Sequence, residues 1–105
     1  MNGLMCKNTY TDINLSQMNE LRRQADCIVV DVRENWEFEE FNEGGINIPL
    51  AEIRQQRDRL SDYQNIIVLC TNGVRSKVAA LDFCRVPEWN EKKIFHLHGG
   101  ILEAE

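Results

Sequence analysis

Short apolar runs that alternate along the chain with segments of helical periodicity predict an α/β domain, a central and mostly parallel sheet with helices on both faces. Three observations carry this. The runs Cys27 to Val32, Ile66 to Leu69 and Ile94 to Leu97 are brief and almost wholly apolar, the pattern of strands covered on both sides. The intervening segments Leu15 to Ala25, Ala51 to Leu60 and Ser76 to Val86 carry apolar residues at helical spacing. With 105 residues there is room for one domain and one layered core.

In chain order, residues 1–8 carry no pattern and read as a disordered tail, so the folded domain is expected over 9–105. Thr9 to Ile13 suits a short edge strand. Asn14 followed three positions later by Gln17 is a capping-box signature, and Leu15, Met18, Leu21 and Ala25 then mark a helix to about Ala25. Trp36 and Phe38 are expected to pack a short helix onto the core. In Ala51 to Leu60, Ile53 and Leu60 turn inward and Arg54, Gln55, Arg57 and Asp58 outward. For Ser76 to Val86 the core-facing set is Val78, Leu81, Phe83 and Cys84, and Pro87 ends the helix. A polar connection then leads to the final strand and the Gly99-Gly100 turn.

A net charge of −5 with scattered basic residues argues against nucleic-acid binding. No apolar run approaches the ~20 residues needed to span a bilayer, and no signal-like segment opens the chain, so a cytoplasmic protein without membrane partners is expected. The four cysteines lack the spacing of a disulfide framework, and Cys84, His96 and His98 lack the spacing of a zinc site. Free thiols, no metal and no cofactor are expected. Cys27 and Cys84 read as small core residues.

The chemistry concentrates at Ile66 to Ser76. A buried strand delivers Cys70 to the carboxyl edge of the sheet, and the helix that follows aims its N-terminus at the same place. Orphan N–H groups and a cation, here Arg75, favour a thiolate there. Gly73 lets the amides of Thr71 to Ser76 converge into a nest suited to an anion or a terminal sulfur. On these residues alone a reactive cysteine and a small core cysteine at a strand end both remain open. Asp31 closes its strand at the same sheet edge, and Arg33 and Glu37, four apart, are positioned to pair on one helical face.

Four stretches, in order, resemble the rhodanese-like sulfurtransferases. Cys70-Thr71-Asn72-Gly73-Val74-Arg75-Ser76 resembles the active-site loop C-x-x-G-x-R-[ST]. Asp31 to Phe38 resembles D-V-R-x-x-x-E-[FY], Ile46 to Leu50 resembles I-N-I-P-L, and Leu97 to Ile101 resembles L-x-G-G-I. The resemblance implies the rhodanese fold, with Cys70 as the sulfur-carrying nucleophile and Arg75 orienting an anionic donor. It further implies substrate contacts from Thr71, Asn72, Gly73, Val74 and Ser76, and loop support from Asp31 and the Arg33–Glu37 ion pair. Two departures stand out. Asn42 to Gly45 is shorter than the common G-H-I-P-G-A form and lacks its histidine and first proline, and the chain stops soon after Gly100, where relatives continue into a helix.

The implied activity moves a sulfane sulfur from thiosulfate or a protein persulfide, through a Cys70 persulfide, to a thiol, cyanide or a sulfur-carrier protein. A non-catalytic rhodanese-like binding module is the alternative. A cysteine phosphatase or arsenate reductase on the same fold is less favoured, because Thr71 to Val74 make a loop one residue shorter than the phosphatase form and Leu69, not histidine, precedes the cysteine.

Overall fold

The computed structural model describes residues 9–103. Five strands, β1 (Tyr10–Ile13), β2 (Cys27–Asp31), β3 (Ile46–Asn47), β4 (Asn65–Leu69) and β5 (Lys93–Leu97), form one all-parallel sheet in the order β1-β5-β4-β2-β3. β4 lies at the centre between β5 and β2, and all five of its residues are buried, which is why its sequence is apolar without alternation. The expected tail over residues 1–8 lies outside the described residues.

Alternate residues of the strands feed two separate cores. Val30, Ile66, Val68 and Ile94 pack with Ile53 of α3 (Ile53–Gln56) and with Ala79, Ala80 and Phe83 of α4 (Val74–Cys84). Val29, Ile67, Leu69 and Leu97 pack with Met18 of α1 (Leu15–Leu21) and with Ile101 of the closing helix α5 (Gly100–Glu103). Helices therefore cover both faces, as the sequence predicts.

The capping box at α1 forms as expected, with Gln17 N–H donating to Asn14 Oδ1 and Asn14 N–H to Gln17 Oε1, both at 2.8 Å. The helix ends at Leu21 rather than near Ala25, because the chain must reverse within five residues to enter β2. Turn bonds from Gln24 N–H to Leu21 O (3.1 Å) and from Cys27 N–H to Gln24 O (3.2 Å) make that reversal. The segment expected as one helix over Ala51 to Leu60 is a short α3 flanked by 3₁₀ turns, Leu50–Glu52 and Arg57–Leu60, although Ile53 and Leu60 do turn inward.

Two packing expectations are corrected. Trp36, in α2 (Asn35–Glu40), is 62% exposed, while Phe38 on the same short helix is half-buried. In α4 the inward stripe is Ser76, Ala79, Ala80, Phe83 and Cys84, a strict three-and-four spacing, while Val78 and Leu81 are exposed. Weighting by hydrophobicity favours Val78 and Leu81. The sheet instead takes the stripe whose small residues allow close approach, and it accepts a buried polar Ser76 within it.

Candidate active site

Cys70 follows β4 on the same face as Ile66 and Val68, so strand alternation points it at the start of α4. Its side chain is fully buried. The turn Thr71 to Gly73 wraps the sulfur: the N–H groups of Gly73 and Ser76 donate to Sγ at 3.2 and 3.3 Å, and Ser76 Oγ lies 3.3 Å away. α4 begins two residues earlier than its apolar pattern indicates, which places Arg75 and Ser76 in its first turn, where N–H groups lack helical acceptors. The sulfur takes the place of those acceptors.

The turn is braced from outside by the loop after β5. Gly100 has φ +70°, and a Cβ there would lie 2.4 Å from Thr71 O, so the two backbones are in contact. The first amides of α5 complete the brace, with Ile101 N–H donating to Cys70 O and Leu102 N–H to Thr71 O, both at 2.9 Å. Asn72 caps the turn by accepting Val74 N–H at 3.1 Å, and Asn72 and Val74 are exposed at its tip.

The charged residues pair differently from the expected scheme. Arg75 donates both terminal nitrogens to Glu37, at 2.7 and 3.1 Å, and reaches Thr71 Oγ1 at 3.2 Å. The hydrogen bonds from Arg75 hold the Glu37 carboxyl down at about 2, and those to Glu37 push the Arg75 guanidinium further up. Glu37 Oε1 also accepts Glu34 N–H at 2.8 Å, so the start of α2 is tied to the cysteine turn. Arg33 does not pair with Glu37. It closes on Asp31 with Nη2–Oδ2 at 2.8 Å, Arg33 and Asp31 both being buried, and donates to Phe41 O at 2.6 Å. Asp31 and Arg33 thus fix the β2–α2 corner, and Glu37 is the residue that grips the loop through Arg75.

His96 is the site residue that the sequence reading passes over. It is 3% exposed and sits on β5 opposite Val68, on the face shared with Cys70. Its Nε2 is 2.9 Å from Ser76 Oγ and 3.1 Å from Gly73 O, and its Nδ1 is 2.9 Å from Asp12 Oδ1 of β1. The signal was present in the alternation of β5: Ile94 faces the α4 side, so His96 must as well. Its carboxylate partner lies 84 residues away, beyond the reach of any local motif. A groove of about 460 Å³ opens here, lined by Asp12, Asn72, Val74, Lys77, His96 and His98 among others. Asp12, His96 and His98 also bring metal-ligating atoms within 4.8 Å of one another, a grouping that neither histidine's sequence neighbours disclose. The direct Asp12–His96 contact already uses two of those atoms. Among the described residues Cys27 and Cys70 are free thiols.

A cysteine held in converging amides at the carboxyl edge of a parallel sheet is an arrangement for stabilising a sulfur anion. The chain is similar to a rhodanese-related protein of Thermoplasma volcanium at 32% identity, with 89% of this chain and 88% of that one covered and a TM-score of 0.70. A thiosulfate sulfurtransferase of Pseudomonas aeruginosa shares the fold at a TM-score of 0.73 over 91% of this chain and 18% of that one, at 15% identity. Among curated proteins, a tRNA uridine(34) hydroxylase of Yersinia enterocolitica is 29% identical over 98 residues, 87% of this chain and 27% of that protein. The chain therefore spans about a quarter of the curated relatives it matches. The Rhodanese-like domain model matches residues 14–104, which takes in β2 through α5 and every residue that surrounds the Cys70 sulfur, and on that match the chain belongs to the rhodanese-like family.

Proposed function

We propose that this domain is a sulfurtransferase that carries a sulfane sulfur on Cys70. The observation that supports this most is the cradle itself, two backbone N–H groups and one hydroxyl converging on a single sulfur atom. A thiolate there attacks the outer sulfur of a donor. With thiosulfate the S–S bond breaks, sulfite leaves with its electron pair, and the Cys70 persulfide keeps the transferred sulfur. An acceptor thiolate, cyanide or a sulfur-carrier protein then takes that sulfur and the Cys70 thiolate is regenerated. The amides that hold Sγ counter the negative charge of the thiolate form.

Arg75 is committed to Glu37 and Thr71, with about a third of its side chain exposed, so its part in this scheme is to fix the turn and present positive charge at its rim. A donor borne by a protein fits the exposed tip formed by Asn72 and Val74 as well as thiosulfate does. The names of the Yersinia relatives place a domain of this kind inside an RNA-modifying protein. The net charge of −5 argues against this domain binding RNA by itself, so sulfur handling remains the reading here.

One observation favours a second reading, a non-catalytic binding module: Cys70 has no exposed surface. Intact-mass analysis of the reduced chain after incubation with thiosulfate, or with a persulfidated protein, separates the two. The sulfurtransferase reading expects a gain of one sulfur, removable by cyanide and absent from Cys70→Ser. No gain from either donor overturns it in favour of the binding module.

A further inference from the structure

We propose that Ser76, His96 and Asp12 form a proton relay that carries the Cys70 thiol proton out of the buried site and holds it on the imidazole. The inference rests on the sulfurtransferase reading for its purpose, which is to supply a thiolate nucleophile. The contacts are continuous from core to surface. Cys70 Sγ is 3.3 Å from Ser76 Oγ, Ser76 Oγ is 2.9 Å from His96 Nε2, and His96 Nδ1 is 2.9 Å from Asp12 Oδ1. Cys70, Ser76 and His96 are buried, whereas the Asp12 side chain is 52% exposed at the groove.

The hydrogen bonds can be satisfied in two ways. With the proton on sulfur, S–H donates to Ser76 Oγ, the serine O–H donates to Nε2, and Nδ1–H donates to Asp12. Moving the proton reverses two of these. The S–H bond breaks and leaves its electron pair on sulfur, a proton arrives at Ser76 Oγ as that oxygen passes its own to Nε2, and an N–H bond forms. The serine O–H then points back at the thiolate, which now accepts from three donors, the Gly73 and Ser76 amides and the Ser76 hydroxyl. The imidazolium is balanced by the Asp12 carboxylate.

The Gly73 carbonyl distinguishes the two arrangements. It carries no hydrogen, so its 3.1 Å contact with Nε2 is a hydrogen bond only when Nε2 is protonated. The Asp12 contact likewise needs a proton on Nδ1. The Gly73 carbonyl also accepts the Lys77 N–H at 3.2 Å, so what the imidazolium–thiolate form adds is a donor for each of these two ring contacts, Nε2–H to Gly73 O and Nδ1–H to Asp12. Gly73 joins both ends of the device, since its N–H donates to the sulfur and its carbonyl accepts from the imidazole. Besides Asp12, the titratable or charged groups facing this ring or lining its groove are Tyr10 of β1, Lys77 of α4 and His98 after β5. None of the three is within hydrogen-bond reach of the imidazole in the contacts that define the relay.

The pH profile of Cys70 alkylation by iodoacetamide, with the modified cysteine mapped by mass, tests the relay on the reduced chain with no sulfur donor present. His96→Gln is expected to move the midpoint upward by at least about one unit, so that alkylation below the wild-type midpoint slows about tenfold. Asp12→Asn, at an exposed position, is expected to move it the same way by less. A His96→Gln profile superimposable on wild type overturns the relay. Should His96→Gln fail to fold, ¹⁵N spectra of the His96 ring decide. Two protonated ring nitrogens are expected in the chain whose Cys70 is thiolate, and one in Cys70→Ser at the same pH; identical protonation in both overturns the relay. Because persulfide formation is measured separately, persulfide without these shifts removes the relay alone, and these shifts without persulfide remove the sulfurtransferase reading alone.

Discussion

Gly100→Ala places the tightest demand on the description of the site. The new Cβ would fall 2.4 Å from Thr71 O, 2.5 Å from Thr71 C and 2.6 Å from Asn72 N, all backbone atoms of the cysteine turn, at a φ of +70°. Left-handed backbone costs a residue with a side chain about 1–2 kcal/mol. Overpacking against atoms that cannot rotate away adds about 1–3 kcal/mol. The sum, about 2–5 kcal/mol, is a large part of the stability of a domain of this size. Gly45→Ala is the matched control, with φ +81° and a Cβ 2.4 Å from Val29 O, a clash of the same kind away from Cys70. Urea denaturation should show comparable losses in both variants. Amide exchange should separate them: Ile101 and Leu102, whose N–H groups donate to Cys70 O and Thr71 O, should lose more protection in Gly100→Ala than its global destabilisation explains. In Gly45→Ala they should lose no more than the global amount. Wild-type stability in Gly100→Ala, or equal protection of those amides in the two variants, would refute the idea that the Gly99-Gly100 turn braces the loop.

Other consequences can be measured on the same scale. Glu37 is held at about 2 in the fold against an ordinary 4.5, so its pairing with Arg75 stabilises the domain above about pH 4.5 and that contribution is lost as the pH falls towards 2. Because the pair is partly exposed, Glu37→Gln should cost on the order of 1 kcal/mol at pH 7 and flatten the stability profile across that acid window. Asp31→Asn leaves the buried Arg33 without its charge partner and should cost about 3–5 kcal/mol in chemical denaturation, with much of the loss recovered by adding Arg33→Met. Trp36→Ala, at an exposed position, should change the melting free energy by no more than about 0.5 kcal/mol.

The fold was legible because its signals are local. The β4 run is apolar without alternation because both its faces are covered, and Asn14 and Gln17 lie three apart, so each feature sits within a window that sequence alone can scan. The inward face of α4 was misread for a physical reason. Hydrophobic weight selects Val78 and Leu81, whereas the sheet selects the stripe on which Ala79 and Ala80 permit contact and Ser76 meets a polar partner. A buried serine looks like an error in an apolar face until the histidine it meets is known, and that histidine comes from a strand 20 residues further on.

The same distance problem explains the ion pairs. Glu37 has two candidate cations, Arg33 four residues away and Arg75 at a separation of 38, and helical spacing favours the nearer. What decides is Asp31. Its side chain is fully buried at the end of β2, and a carboxylate without water must have a cation or bear a large desolvation penalty. Arg33 is two residues on and folds back with three guanidinium contacts of 2.8–3.1 Å. The carboxylate that can least tolerate isolation takes the nearest guanidinium. Glu37, closer to solvent, is left to meet Arg75 when β4 and α4 assemble beside β2 and α2. Burial order, rather than sequence spacing, therefore assigns the pairs, and it ties the cysteine turn to α2 through Glu37.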